Sequence, residues 1–247
     1  MSTLTKGAYR ARIARTHDDL CAAQALRALA FGSALDEGVL DSDPFDDVCT
    51  HFLIEDQRSG QLVCCFRILH LRGGAEIDRS YSAQFYELSA LNAFDGPMVE
   101  MGRFCLHPDV HNPDVLRVAW GVLTRYVDEN GIEMLFGCSS FQGTAHDPYL
   151  DAFAMLKDRY LAPRRWLPRV KAPSVFRFAQ TLRLRKPDVK QAMVRMPPLL
   201  RTYLLMGGWV SDHAVIDPQM NTLHVFTGLE IKAIPPARKR LLRAAAQ

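Results

Sequence analysis

Glu100 and Arg103 sit three residues apart in the run MVEMGRFCL. Strand positions three apart project to opposite faces unless a bulge shifts them, and Gly102 supplies the backbone freedom for one. A carboxylate placed there is either a base or orienter for an attacking amine, or half of an ion pair inside a sheet. Both readings stay open. Asp43 and Asp46 flank Phe45 in Asp43-Pro44-Phe45-Asp46. The proline predicts a surface loop, in which the two carboxylates either recognise a cationic group or cap a turn. Other chemistries are poorly served. His107 and His111 are four apart, but Pro108 breaks a shared helical face and no third ligand stands at metal spacing, so no metal is expected. Ser139 and Ser140 lack a G-x-S-x-G elbow. The six cysteines include no C-x-x-C pair and read as small buried apolar residues.

The elements that must hold these groups follow from periodicity. Tyr9–Arg15 alternates as an edge strand, and Thr16 opens a capping-box helix with Leu20, Ala23, Leu26 and Ala30 on one face. HFLIED and QLVCCFRILHL predict a hairpin, and MVEMGRFCL and IEMLFGC predict two further strands. Asn112-Pro113-Asp114 starts a helix that Gly131 stops, residues 149–160 form another, and PPLLRTYLLMGG is a short third. WVSDHAVID and TLHVFTGLEI close the chain with strands. The expected fold class is α/β, one domain over 1–247, with a core at about 9–232 and a basic tail at 233–247.

The 247 residues carry a net charge of +3, unevenly spread. Residues 1–156 hold 12 basic and 22 acidic side chains, whereas residues 157–190 hold 11 basic and 2 acidic. A basic stretch on an acidic chain predicts an anionic partner, or a solvated face. No apolar run approaches the roughly 20 residues of a membrane span. The N-terminus lacks a secretory apolar region, and cytoplasmic residence is expected. Pro235–Arg240 with Leu241 and Leu242 reads either as a contact for anionic inner-membrane lipid or as a frayed tail.

MVEMGRFCLHPD, the following helix and IEMLFGCSS resemble the GNAT acyltransferases. The resemblance implies a mixed, mostly antiparallel twisted sheet flanked by helices, with an acyl-thioester arm in a gap between splayed strands. The acetyl-CoA members hold pyrophosphate on a glycine-rich loop at a helix N-terminus. The equivalent segment here, HPDVHNPDVLRVAW, has no glycine. That departure implies no bound cofactor and a donor whose phosphopantetheine arm is carried by acyl carrier protein.

Arg27, Phe31, Asp43-Pro44-Phe45-Asp46, Arg67 and Glu100-Met101-Gly102-Arg103-Phe104 resemble, in order, the motifs of the acyl-homoserine-lactone synthases. RYLAPRRWLPRVKAPSVF and MPPLLRTYLLMGGWVSDHAVIDPQMNTLHVFTGLEI are instead similar to the ornithine acyl-ACP N-acyltransferases, over roughly residues 15–240. The implied reaction moves a 3-hydroxyacyl group from acyl carrier protein to the α-amine of ornithine, the first step of ornithine-lipid synthesis. Glutamine, lysine or S-adenosylmethionine are alternative acceptors. A non-enzymatic protein binding an anionic partner is the alternative class, and the acidic first 156 residues speak against nucleic acid. Glu100 and Arg103 are the expected catalytic pair. Arg27, Phe31, Asp43, Asp46 and Arg67 are expected to bind the acceptor. Phe104, Cys105, Ser139, Ser140 and Gly143 line the thioester, and Arg164, Arg165, Arg169 and Lys171 dock the carrier protein.

Overall fold

Thr16 accepts from the Asp19 amide while the Asp19 carboxylate reaches back to the Thr16 amide, so the first helix starts where the capping box predicts. The computed structural model describes residues 3–32 and 39–246. In chain order they form β1 (Leu4–Lys6), β2 (Tyr9–Ile13), α1 (His17–Phe31), β3 (Thr50–Asp56), β4 (Leu62–Leu71), β5 (Tyr86–Glu87) and β6 (Met98–Leu106). Next come α2 (Pro113–Glu129), β7 (Met134–Gln142), α3 (Leu150–Arg159), β8 (Arg169–Val170), β9 (Val175–Phe176) and α4 (Phe178–Thr181). The chain closes with α5 (Val189–Arg195), α6 (Pro198–Leu205), β10 (Trp209–Val210), β11 (Ala214–Asp217), β12 (Thr222–Glu230) and α7 (Pro236–Ala246).

These elements form two compact units. The first comprises residues 1–70, 101–132 and 236–247. Its strands β1 to β4 pair antiparallel in sequence order, with the predicted hairpin at β3–β4. Ala23 and Leu26 of α1 pack on Leu53, Cys65 and Cys105, with Phe31 at the edge of that cluster. The segment expected as a basic tail is a docked helix: Arg125 of α2 donates to the Ala246 carbonyl, and Arg243 pairs with Asp128. Leu241 stays exposed.

The second unit comprises residues 71–100 and 133–235. Strand β7 runs antiparallel to β12 across nine residue pairs, from Gln142–Thr222 to Met134–Glu230. The start of β6 lies parallel to β7 for three pairs only, Met98–Met134, Val99–Leu135 and Glu100–Phe136. The described strands are thus mostly antiparallel, with a parallel ladder at β6–β7, and helices flank them, as the resemblance implies. Phe141, Leu223 and Val225 form a core with Phe153 and Leu156 of α3.

A series of short turns between β4 and β6, which periodicity does not reveal, packs through Gly74. Its amide donates to the Phe94 carbonyl at 2.7 Å, and a Cβ there would overlap the Leu91 carbonyl oxygen. Backbone on both sides cannot give way as a side chain can. We expect Gly74→Ala to cost about 3 kcal/mol, the upper end for overpacking, read as a lowered urea midpoint with unchanged slope.

Candidate functional site

The D-x-F-D segment is a capped turn, not an open loop. Asp43 accepts from the Phe45 amide at 2.9 Å, Pro44 occupies the first position, and the Asp46 carboxylate accepts from the Asp43 amide at 3.3 Å. Asp46 is buried, contrary to the surface loop expected from Pro44, because the turn seats it among cations. Arg27 reaches it from α1 with Nη1 at 2.7 Å and Nη2 at 2.9 Å, Gln24 donates at 2.9 Å, and Arg67 of β4 donates through Nη1. Arg67 also grips Asp43 in a fork, at 2.6 and 2.7 Å, with its guanidinium 5.6 Å from the Phe45 ring centre. Arg103 of β6 donates to Asp43 at 2.9 Å, and its Nε lies 3.1 Å from Asp41. Asp41 further accepts from Arg27 Nε at 3.2 Å.

Three guanidiniums therefore meet three carboxylates inside the first unit. Burial works against the Asp46 carboxylate, but Arg27, Gln24 and Arg67 outweigh it and hold that carboxyl well below the usual range. Asp43 is lowered in the same way, with Arg67 and Arg103 overcoming burial. His51 sits beside them with Nε2 3.0 Å from the Asp46 carbonyl. Burial lowers it and keeps the imidazole neutral. The lattice grades from closed to open. The Arg27 side chain is 1% exposed, whereas Asp43 and Arg103 are 17% and 12% exposed.

The sequence assigned backbone freedom to Gly102, but Arg103 is the residue with a positive φ, 51°. Gly102 lies beside Arg67, where an added Cβ would meet Nε at an ordinary 3.9 Å. Phe104 stacks on Phe66 at 5.6 Å. Cys105 is buried, with its sulfur 3.4 Å from that of Cys65. The Cys105 hydrogen bond and burial push the Cys65 thiol up.

In the second unit, Glu100 is buried and spans a turn. Its Oε2 accepts from the Tyr81 amide at 2.7 Å. Its Oε1 accepts from the Ser82 amide at 2.7 Å and the Ser82 hydroxyl at 2.6 Å. The Ser82 oxygen is also 3.4 Å from the Cys138 sulfur. The predicted docking residues support this turn: Lys171 Nζ donates to the Ala83 carbonyl at 2.6 Å, and β8 pairs Arg169 and Val170 with Glu87 and Tyr86 of β5. Arg164, Arg165 and Arg169 are exposed, Arg165 lying 3.3 Å from Glu230 and 5.1 Å from the Trp166 ring centre.

Ser139 and Ser140 leave β7 by opposite faces. Ser139 is buried and accepts from the Thr227 hydroxyl at 2.9 Å, Ser140 is exposed, and Gly143 turns the chain with φ 80°. His224 is buried, and burial lowers it to about 4. The Tyr86 hydroxyl donates to the His224 carbonyl at 2.8 Å and lies 3.1 Å from His224 Nδ1. With its proton spent on the carbonyl, that hydroxyl accepts from Nδ1–H, which fixes the tautomer. Asp41, Tyr81, Ser82, Tyr86 and His224 were not read from the sequence. Asp41 carried a signal, two residues before Asp43. The others meet their partners only through folding.

Over 239 residues the chain is 31% identical to the L-ornithine N(alpha)-acyltransferase of Rhodobacter capsulatus, covering 92% of this chain and 91% of the relative. The chain belongs to this acyltransferase family. The enzyme of the same name from Brucella abortus is 28% identical over 244 residues, 92% of this chain and 86% of the relative. Residues 27–121 match the Acetyltransferase (GNAT) domain, and this match starts at Arg27 and takes in Asp46, Arg67 and Arg103. A solved N-acyl amino acid synthase from uncultured soil microbes aligns over 91% of this chain and 92% of its own, with a TM-score of 0.51 at 14% identity. The fold is GNAT-like and the chain is an N-acyltransferase, moving an acyl group onto an amine. No helix among the acyltransferase's described residues is long and apolar enough to cross a membrane.

The lattice sets a pH dependence for this acyltransferase. Asp43 and Asp46 titrate lower when folded than when unfolded, so their stabilisation is complete above about pH 4 and falls as the pH drops further. His224 loses stabilisation earlier, between about pH 6.5, where an unfolded histidine takes its proton, and the folded value of about 4. Urea midpoints should therefore decline below pH 6.5 and steepen below pH 4, and His224→Gln should lessen the upper part of that decline, leaving the share that His51 contributes. Asp46→Asn should cost about 3–5 kcal/mol at pH 7, since it leaves Arg27 and Arg67 short of a buried counter-charge.

Proposed function

We propose that the chain transfers a 3-hydroxyacyl group from acyl carrier protein to the α-amine of L-ornithine, the first step of ornithine-lipid synthesis. The observation that carries this reading is the 31% identity to an L-ornithine N(alpha)-acyltransferase along nine-tenths of both chains. The start of α2 supports that donor. Asn112 caps it by accepting from the Asp114 amide, Pro113 supplies no amide hydrogen, and Asp109, exposed, and Asp114, half-buried, stand nearby. A helix N-terminus so occupied is a poor seat for the pyrophosphate of coenzyme A. The exposed cations Arg164 and Arg169 offer an acidic carrier protein a surface instead.

The acceptor is read at the open rim of the lattice. Arg103 faces its α-carboxylate, Asp43 and Asp41 face its δ-ammonium, and Asp46, Arg27 and Arg67 hold that rim in place. Glu100 acts as a positioning residue. At least three donors already engage its carboxylate, and they fix the turn at Tyr81 and Ser82. Attack is direct, by proximity; in its support, Cys65 is held as a neutral thiol and Cys105 is buried against it, and a trapped acyl adduct on Cys138 would overturn it. The product, an acylated amino acid, is amphiphilic and leaves toward the inner membrane.

Mass spectrometry of purified protein incubated with 3-hydroxyacyl carrier protein and equimolar ornithine, lysine and glutamine should show the ornithine amide as the main product, with little from the matching acyl-CoA. A dominant glutamine amide would move the assignment to another acceptor, and equal use of acyl-CoA would remove the carrier protein from it. Asp43→Asn should raise KM for ornithine several-fold more than it lowers stability, the reverse of Asp46→Asn.

Glu100→Gln should lower kcat by about 10²-fold and lower the Tm, because an amide nitrogen would then face a backbone N–H donor. Its pH–kcat profile should keep the wild-type acid limb. Loss of that limb would make Glu100 the base. Reversing Arg164 and Arg169 to Glu should raise KM for the carrier-bound donor about tenfold at low salt and leave KM for ornithine unchanged.

A further inference from the structure

The loop after α4 holds a leucine out in solvent. Leu184 is 85% exposed, yet the backbone around it is fixed. The carbonyls of Leu182, Arg183 and Arg185 converge on Lys157 Nζ at 2.8, 3.4 and 2.9 Å. Asp151 accepts from the Arg185 guanidinium at 3.0 Å and from the Asp188 amide at 3.2 Å. The loop thus turns its polar backbone toward α3, and the leucine is left projecting.

Helix α5 continues the same surface. Asp188 caps it by accepting from the Lys190 and Gln191 amides, and Ala192 and Met196 enter the core. Burying those two turns Val189, Met193 and Val194 outward, and Val194 is 70% exposed. Exposed cations interleave with them: Arg183, Lys186, Lys190 and Arg195. The one acid of residues 183–195, Asp188, is occupied as the cap.

A single exposed aliphatic is ordinary. Four within eleven residues, alternating with cations on a pinned backbone, have the make-up of an interfacial element, whose apolar groups enter the lipid boundary while cations meet phosphates. A rigid protein partner would need pockets matched to each projecting side chain. A fluid bilayer needs none. We propose that residues 183–195 are the surface by which the protein seats on an anionic lipid membrane. The inference rests on this surface and not on the identity of donor or acceptor.

The test is co-sedimentation of the full chain with phosphatidylglycerol–phosphatidylethanolamine vesicles and with pure phosphatidylcholine vesicles. Wild type should bind the anionic vesicles, less so as salt rises, and bind the zwitterionic ones weakly. The pair Leu184→Asn and Val194→Asn, and separately the pair Lys186→Glu and Lys190→Glu, should each lower the partition coefficient at least about tenfold. Tm and acyl transfer in vesicle-free buffer should be unchanged for both pairs. Arg238→Glu with Arg240→Glu, on α7, should bind as wild type does. No binding by wild type, or equal binding by wild type and both pairs, overturns the proposal. So does a raised KM for the carrier-bound donor without vesicles, which gives the surface to the carrier protein. Loss of a dimer with vesicle binding intact would give it to a second copy.

Discussion

The Asp46 carboxylate is the group on which the first unit depends. It receives Arg27 from a helix, Arg67 from a strand, Gln24 from the same helix and the Asp43 amide from its own turn. Desolvating ions is costly, and paired charges in an interior add little net stability. What they supply is definition. Each guanidinium has several directed donors, and they tie α1, the 43–47 turn, β4 and the middle of β6 to one another's positions. Arg103 is one result: an L-residue with φ 51° costs free energy, and its ion pairs with Asp41 and Asp43 hold it there.

The second unit solves the same problem with backbone instead of side chains. Glu100 meets the amides of a turn that carries no conspicuous sequence signal, and Lys171 clasps the next carbonyl along. Both charged residues of the E-x-x-R segment are thereby engaged, each inside its own unit. The short parallel ladder that ends at Glu100–Phe136 fits this division, since β7 continues to Gln142 on β12 alone of the pairings in its unit.

Regular elements were legible because they announce themselves locally. Thr16, Asn112 and Pro198 stand at helix starts, and alternation marks β3, β4 and β12. The order of Arg27, Asp43, Asp46, Arg67 and Arg103 was legible as a set, and the structure brings those five together with Asp41. Their division of labour was not. Pro44 suggested exposure, whereas burial of Asp46 depends on two arginines 19 and 21 residues away in sequence. Turns near Ser82 have no period to read, and a docked C-terminal helix cannot be told from a basic tail until α2 is seen beneath it. Ser139 and Ser140 looked like one lining pair, but neighbouring positions in a strand face opposite ways.

The grip of Glu100 on Tyr81 and Ser82 has a consequence for how this family records its history. Two of its contacts are made by main-chain amides, which every residue except proline supplies. At position 81 the contact therefore constrains the carboxylate at 100 more than the side chain opposite it, whereas Ser82 is held by its hydroxyl as well. Paired substitutions across the contact will be rare, and methods that infer proximity from covariation will pass over it. By contrast, the arginine–aspartate lattice is built side chain to side chain, and its members must change together or not at all.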